Sequence, residues 1–147
     1  PLRYYANALS VANRFYMLVD KPSDTTWLSS ETTRCGAVEV LCQNSLQAIT
    51  TTATPTGTDL ATKKGWYLAL AAGEQVVTSS VTAYGTTTFN THIPTDPAVR
   101  HTCRADLGTA NVYNVSYTNA APPSGTSRSD AVIGGGLAGA VGEGTAP

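Results

Sequence analysis

Short runs in which side chains alternate in character every second position, each cut off by proline or a glycine turn, constrain this chain most. A two-residue period fits a strand with one buried and one exposed flank, and it fits no helix. Asn13 to Val19 is aromatic and branched and stops at Asp20-Lys21-Pro22, where proline cannot donate to a ladder. Gly65 to Leu70 puts Trp66, Leu68 and Leu70 on one face and ends at the turn Ala72-Gly73-Glu74. Gln75 to Val81 follows, then a turn at Tyr84-Gly85 and a strand from Thr86 to Ile93, with Phe89 and Ile93 on one face, closed by Pro94 and Pro97. Gly108 to Tyr117 places Tyr113, Val115 and Tyr117 on one side and Asn114 and Ser116 on the other. This is the pattern of an antiparallel strand with a core face and a water face.

Between these strands the reading is coarser. Ala37 to Cys42 fits a strand or a short helix, and Thr50 to Thr62 is a threonine-rich loop. After Asn119 the chain passes into Ala-Ala-Pro-Pro-Ser-Gly-Thr-Ser, a linker composition, and residues 134–147 read as an extended Gly/Ala tail. The expected organisation is a β-rich region over 1–121 and a linker with tail over 122–147. The expected fold class is all-β and antiparallel, a sandwich, barrel or propeller with long irregular loops.

Composition narrows the function classes. With 147 residues and 41% apolar residues the chain can bury one core. Charged residues are 13%, about half the usual share, and Thr, Ser, Asn, Gln and Gly replace them, as in many extracellular β proteins. Extracellular localisation is therefore expected. The start Pro1-Leu2-Arg3-Tyr4 has no charged leader followed by an apolar stretch and reads as a mature or internal one. The net charge is −1 and the longest basic run is Lys63-Lys64, so nucleic acid is not an expected partner. The apolar run Val132 to Val141 is broken by Gly134, Gly135, Gly136 and Gly139, so no membrane span is expected.

Catalytic chemistry finds little to build on. His101-Thr102-Cys103 brings a base and a thiol close, but without an oxyanion turn or an orienting acid. A structural or disulfide-bonded Cys103 is the better reading, and His92 reads as a surface or edge residue. Asp20, Asp24, Asp59, Asp96, Asp106 and Asp130 are scattered and lack the spacing of a calcium loop. Gly134-Gly135-Gly136 lacks the Lys-Ser/Thr that completes a phosphate loop. Asn114-Val115-Ser116 matches a glycosylation acceptor inside a strand, and Arg128-Ser129-Asp130 departs from the integrin-binding tripeptide at its middle residue. No catalytic, cofactor or metal residue is expected, and the chain reads as a non-enzyme. Cys35 and Cys42, with six residues between them, suit a small disulfide loop in an oxidising compartment, with two buried thiols as the alternative. Cys103 is then unpaired or bonded to a partner.

Several segments resemble type IV pilus tip adhesins of the PilY/PilC type. Asn13 to Asp20 is similar to that family's "NRFYAL.D" stretch, and Ser45 to Thr50 to the short segment that follows it. Lys64 to Leu70 with Ala72 to Val77 is similar to its "KGWYLDL…GERVV" hairpin. Thr86 to Pro94 resembles its "FTTFIP" element, and Cys103 with Leu107 to Tyr113 a later strand. Ile133 to Leu137 resembles a Gly-rich link before the next blade. The resemblance implies two or three blades of a modified β-propeller, the C-terminal domain of a longer chain. It also implies a role in pilus assembly and adhesion, with minor pilins, neighbouring copies, and host or abiotic surfaces as partners. The family's calcium loop has no counterpart here. The alternative expectation is a structural subunit of an extracellular filament, or its surface decoration, docking through exposed strand edges.

Overall fold

The computed structural model describes residues 11–50, 57–94, 108–123 and 127–132. Two open sheets face one another across a single core. In the first, β1 (Arg14–Leu18) runs antiparallel to β3 (Gly65–Ala69), and β2 (Gln47–Ile49) lies parallel to β3 on its other side. A parallel neighbour requires a crossover. The connection here includes the short helix α2 (Gly57–Ala61), whose Leu60 packs on the core. Gly65 begins β3 at φ +143, and a Cβ there would stand 2.0 Å from the Met17 carbonyl oxygen. Only glycine lets the two backbones approach so closely.

The second sheet is antiparallel. Its spine is the pair β6 (Thr86–Ile93) and β7 (Thr109–Ser116), matched over all eight residues. One edge of β6 carries β4 (Gln75–Val76) and β5 (Val81–Ala83), and β7 carries β8 (Ser129–Val132). Tyr84 (φ 49) and Gly85 (φ 84) join β5 to β6. Two consecutive left-handed residues give the tight hairpin turn whose twist matches that of its strands.

The alternation in sequence explains what is buried. Trp66, Leu68 and Leu70 from β3 and the residue after it meet Phe89, Tyr113 and Val115 from the second sheet, with Ile49 and Ala120 closing the cluster. Aromatic rings bridge the sheets: Phe15 stacks on Phe89 at 3.9 Å and Phe89 on Tyr113 at 4.9 Å, while Phe15 touches Trp66 at 6.2 Å. The Trp66 indole donates to the Tyr117 carbonyl at 3.2 Å, so its one polar atom is paired inside.

Two buried charges fasten this core. Glu74 is 1% exposed. It accepts from the Thr91 hydroxyl, the Asn111 amide at 3.1 Å, the Tyr113 hydroxyl at 3.1 Å and the Ala71 amide at 2.9 Å. Arg128, also 1% exposed, donates to the carbonyls of Ala120 and, at 2.7 Å, Thr50. It thereby ties the approach to β8 to the end of β2, one sheet to the other.

Several expectations are corrected. The fold is a small mixed α/β domain, not an all-antiparallel one: β2 pairs in parallel, and two short helices accompany the sheets. Among the described residues neither sheet is closed or curled, and nothing resembles propeller blades. Short alternating strands specify a half-buried flank wherever they occur, and that pattern does not distinguish a blade from an open sheet. Gln75 to Val81 breaks into two strands at residues 77–80, and β8 lies inside the stretch that composition marks as linker. Residues 133–147, including the glycine-rich tail, are outside the described residues.

Candidate functional site

The strands of β1 and β5 are both sheet edges, and an open groove of about 420 Å³ runs between them. Phe15, Tyr16, Met17 and Leu18 line one wall, Ser80, Thr82 and Thr87 the other, with Trp66 and Tyr117 completing it. Four consecutive residues of one strand line a groove only when the groove follows that strand's edge, because successive side chains point to opposite faces. Phe15 and Met17 turn inward and are half-buried. Tyr16 and Leu18 turn outward and are 48% and 56% exposed. On the far wall the Thr82 and Thr87 hydroxyls hydrogen-bond each other at 2.8 Å. Among the described residues, no lining side chain carries a charge.

The backbone of β1 adds a second property. Val19 N–H donates to the Lys64 carbonyl and Leu70 N–H to the Asn13 carbonyl, at the two ends of the β1–β3 ladder. In an antiparallel pair, hydrogen-bonded positions alternate with non-bonded ones. The odd-numbered residues of β1 therefore bond to β3, and Arg14, Tyr16 and Leu18 present their N–H and C=O groups on the opposite side. No described strand pairs with that side.

A second cluster lies at the end of the first sheet. Helix α1 (Glu31–Cys35) ends at Gly36, and a disulfide joins Cys35 to Cys42, closing an exposed loop. The segment expected as strand or helix, Ala37 to Cys42, is this loop. Ser45 lies beneath it and accepts from the Cys42 amide at 3.1 Å. Glu31 is wholly buried and paired with Arg34 at 2.7 Å, with Lys64 at 3.9 Å. Burial opposes its charge, but the Ser45 and Ser30 hydroxyls and the Arg34 guanidinium outweigh that and hold the carboxyl below its ordinary value. The Lys64 and Lys21 ammonium groups sit on the Trp27 ring at 3.6 and 4.3 Å. Apart from the Glu31 Oε2 oxygen, which is buried without a hydrogen-bond partner among the described residues, the groups here have structural partners, and the cluster anchors residues 20–46 to the sheet.

The disulfide has a measurable share in that anchoring. Replacing both Cys35 and Cys42 by serine is expected to lower stability by about 2.5 kcal/mol, the chain-entropy value for so short a loop. Urea denaturation checks this, and an unchanged midpoint would show that the loop is held by other contacts.

The other residues singled out in the sequence are dispersed. His92 is half-buried in β6, opposite Gln75 and Ala110. Asn114 lies within β7 and accepts from the Thr88 hydroxyl at 2.8 Å, a cross-strand role. Asp130 is exposed on β8 beside buried Arg128. His101 and Cys103 are outside the described residues. Among the described residues no group of three or more His, Cys, Asp or Glu could hold a metal ion, and no helix is long and apolar enough to cross a membrane. Sequence reasoning missed the groove, which depends on how two edges face each other. It also missed Glu74 and Arg128, which stand in a turn and a linker-like stretch.

No family model, curated protein or solved structure matches the chain. With open mixed sheets in place of blades, the likeness to pilus tip adhesins does not hold. The pilus assembly and adhesion role falls with it, as does the filament-subunit alternative.

Proposed function

We propose that this chain is a non-enzymatic binding domain that works outside the reducing cytoplasm and holds a segment of another protein in the groove between β1 and β5. The observation that carries this reading is the groove itself: open, aromatic and aliphatic, and lined among the described residues without a single charge. Tyr16 and Tyr117 each offer a flat apolar ring with a polar tip, the side chain most used for protein recognition. Nucleic acid and anionic surfaces want cations, and the described lining has none to give. The Cys35–Cys42 bridge and the scarcity of charge support an oxidising location.

Selection of peptides from a displayed library of random dodecapeptides tests the reading. Ser80 is exposed at the rim of the groove, so Ser80→Trp fills the seat without disturbing the core. Peptides selected on the native chain are expected to lose at least about tenfold in affinity for Ser80→Trp, the weight of a well-packed contact region. Peptides that bind the variant equally well, or a library that yields no binder, would remove the groove as the ligand seat.

A further inference from the structure

The groove has a wall made of main chain as well as side chains, and that wall says more about its occupant. We infer that the ligand is an extended, uncharged polypeptide segment that adds as a strand to the outer edge of β1, pairing with the backbone of Tyr16 and its neighbours at Arg14 and Leu18. This rests on the reading of the groove as the ligand seat and goes further by fixing how the seat is filled.

Three observations point the same way. Along the outer edge of β1, the N–H and C=O groups of every second residue face away from β3. Their spacing, about 6.8 Å along the strand, matches the repeat of another extended backbone and of no sugar or compact small molecule. Next, the groove lies on this edge and not on the face of the sheet, since it touches four residues in a row. A strand seated there places alternate side chains beside Met17 and Phe15, facing Thr82 and Thr87. The intervening side chains fall beside Tyr16 and Leu18, which are already exposed. Finally, electrostatics selects among extended segments. The walls offer aromatic rings, aliphatic chains and a pair of threonine hydroxyls that already bond each other, so a charge carried into the groove would lose its water and find no counter-ion.

The edge is not blunted against such a visitor. Natural sheet edges are commonly protected by proline, by lysine or by inward-pointing charge. β1 reads Arg-Phe-Tyr-Met-Leu, with its one charge at the first position. Arg14 lies over the Tyr67 ring at 5.8 Å, on the outer face and away from the groove lining. Among the described residues, the edge is thus undefended along the stretch that borders the groove.

The test separates the backbone from the side chain and from the groove. Tyr16→Pro removes the outward N–H and leaves the ladder to β3, which uses the odd-numbered residues, intact. Tyr16→Ala removes the ring and keeps the N–H. Binding of a fluorescent peptide selected on the native full chain is measured by anisotropy for both variants and for Ser80→Trp. Tyr16→Pro is expected to weaken binding about tenfold beyond Tyr16→Ala, the worth of a lost backbone hydrogen bond with its partner left unpaired. Scanning the peptide by backbone N-methylation gives the reciprocal readout and needs no variant to fold: affinity should fall at every second residue. Equal binding by Tyr16→Pro and Tyr16→Ala, with no period of two in the methylation scan, overturns strand addition. If Ser80→Trp still abolishes binding in that case, the groove stands and only the mode of filling it fails. If Ser80→Trp binds normally, the seat itself is wrong. A dimer in sedimentation that Tyr16→Pro dissociates would overturn the inference in a different way, by making a second copy the occupant.

Discussion

Phe89→Ala is expected to lower the stability of this domain by about 3–5 kcal/mol, the cost of deleting a large ring from a core that cannot collapse around the void. Phe89 is 1% exposed and lies between Phe15 of the first sheet and Tyr113 of its own, in near-parallel stacks. Removing the middle ring does more than forfeit apolar burial. It separates the two faces whose contact makes a single core, so Phe15 and Tyr113 each lose a partner. Total stabilities of small domains are about 5–15 kcal/mol, and a loss of this size leaves the folded state marginal. Urea denaturation gives the value. A double-mutant cycle with Phe15→Leu should add a coupling of about 0.5–1.5 kcal/mol for the stacked pair. As a control, Tyr84→Ala at the fully exposed β5–β6 turn removes a ring of similar size and should stay within about 0.5 kcal/mol of the native chain. A Phe89→Ala cost below about 1 kcal/mol would mean that the two sheets do not share a core.

Part of that core is legible in the sequence, although Tyr117, expected on the same flank as Tyr113 and Val115, is 45% exposed. Trp66, Leu68 and Leu70, and Tyr113 with Val115, fall on single faces because a two-residue period assigns each side chain to a flank. Periodicity is a local property, and it stops being informative where partners are chosen. Whether β2 lies parallel or antiparallel to β3 depends on the path of the connection between them, and no alternation encodes that. The same limit explains the propeller expectation, since open and closed sheets use the same strands. Charged residues show the opposite failure. Glu74 and Arg128 would ordinarily be assigned to the surface, and they are buried because several donors or carbonyls from distant segments converge on each. Asn111 and Glu74 stand far apart in sequence, and only the pairing of β4, β6 and β7 brings them together. The groove belongs to this class as well. Tyr16 and Leu18 are the exposed residues of β1, and what makes them a wall is the position of β5.

Glu74 supplies the second large effect. Glu74→Ala is expected to cost about 3–5 kcal/mol, because the substitution leaves buried donors with neither a partner nor water. Those donors come from two strands and a turn: Thr91 on β6, Asn111 and Tyr113 on β7, and the Ala71 amide at the β3–β4 corner. Losing the last of these should open the corner, seen as faster hydrogen exchange at Ala71. Glu74→Gln keeps the volume and one acceptor oxygen but points an amide donor at groups that are themselves donors. Its cost should lie below that of alanine and above the roughly 1.5–3 kcal/mol expected for Tyr113→Phe, which removes one hydrogen bond to a charged group. A spectroscopic readout accompanies the stability series. Burial first, and then the neighbouring carboxylate, raise the Tyr113 hydroxyl above its ordinary value, so it remains a protonated donor at neutral pH. With glutamine in place of the carboxylate the second cause disappears, and the ultraviolet titration of Tyr113 should move to lower pH. An unmoved titration together with a near-neutral Glu74→Gln would show that the carboxylate is held for its shape and not for its charge.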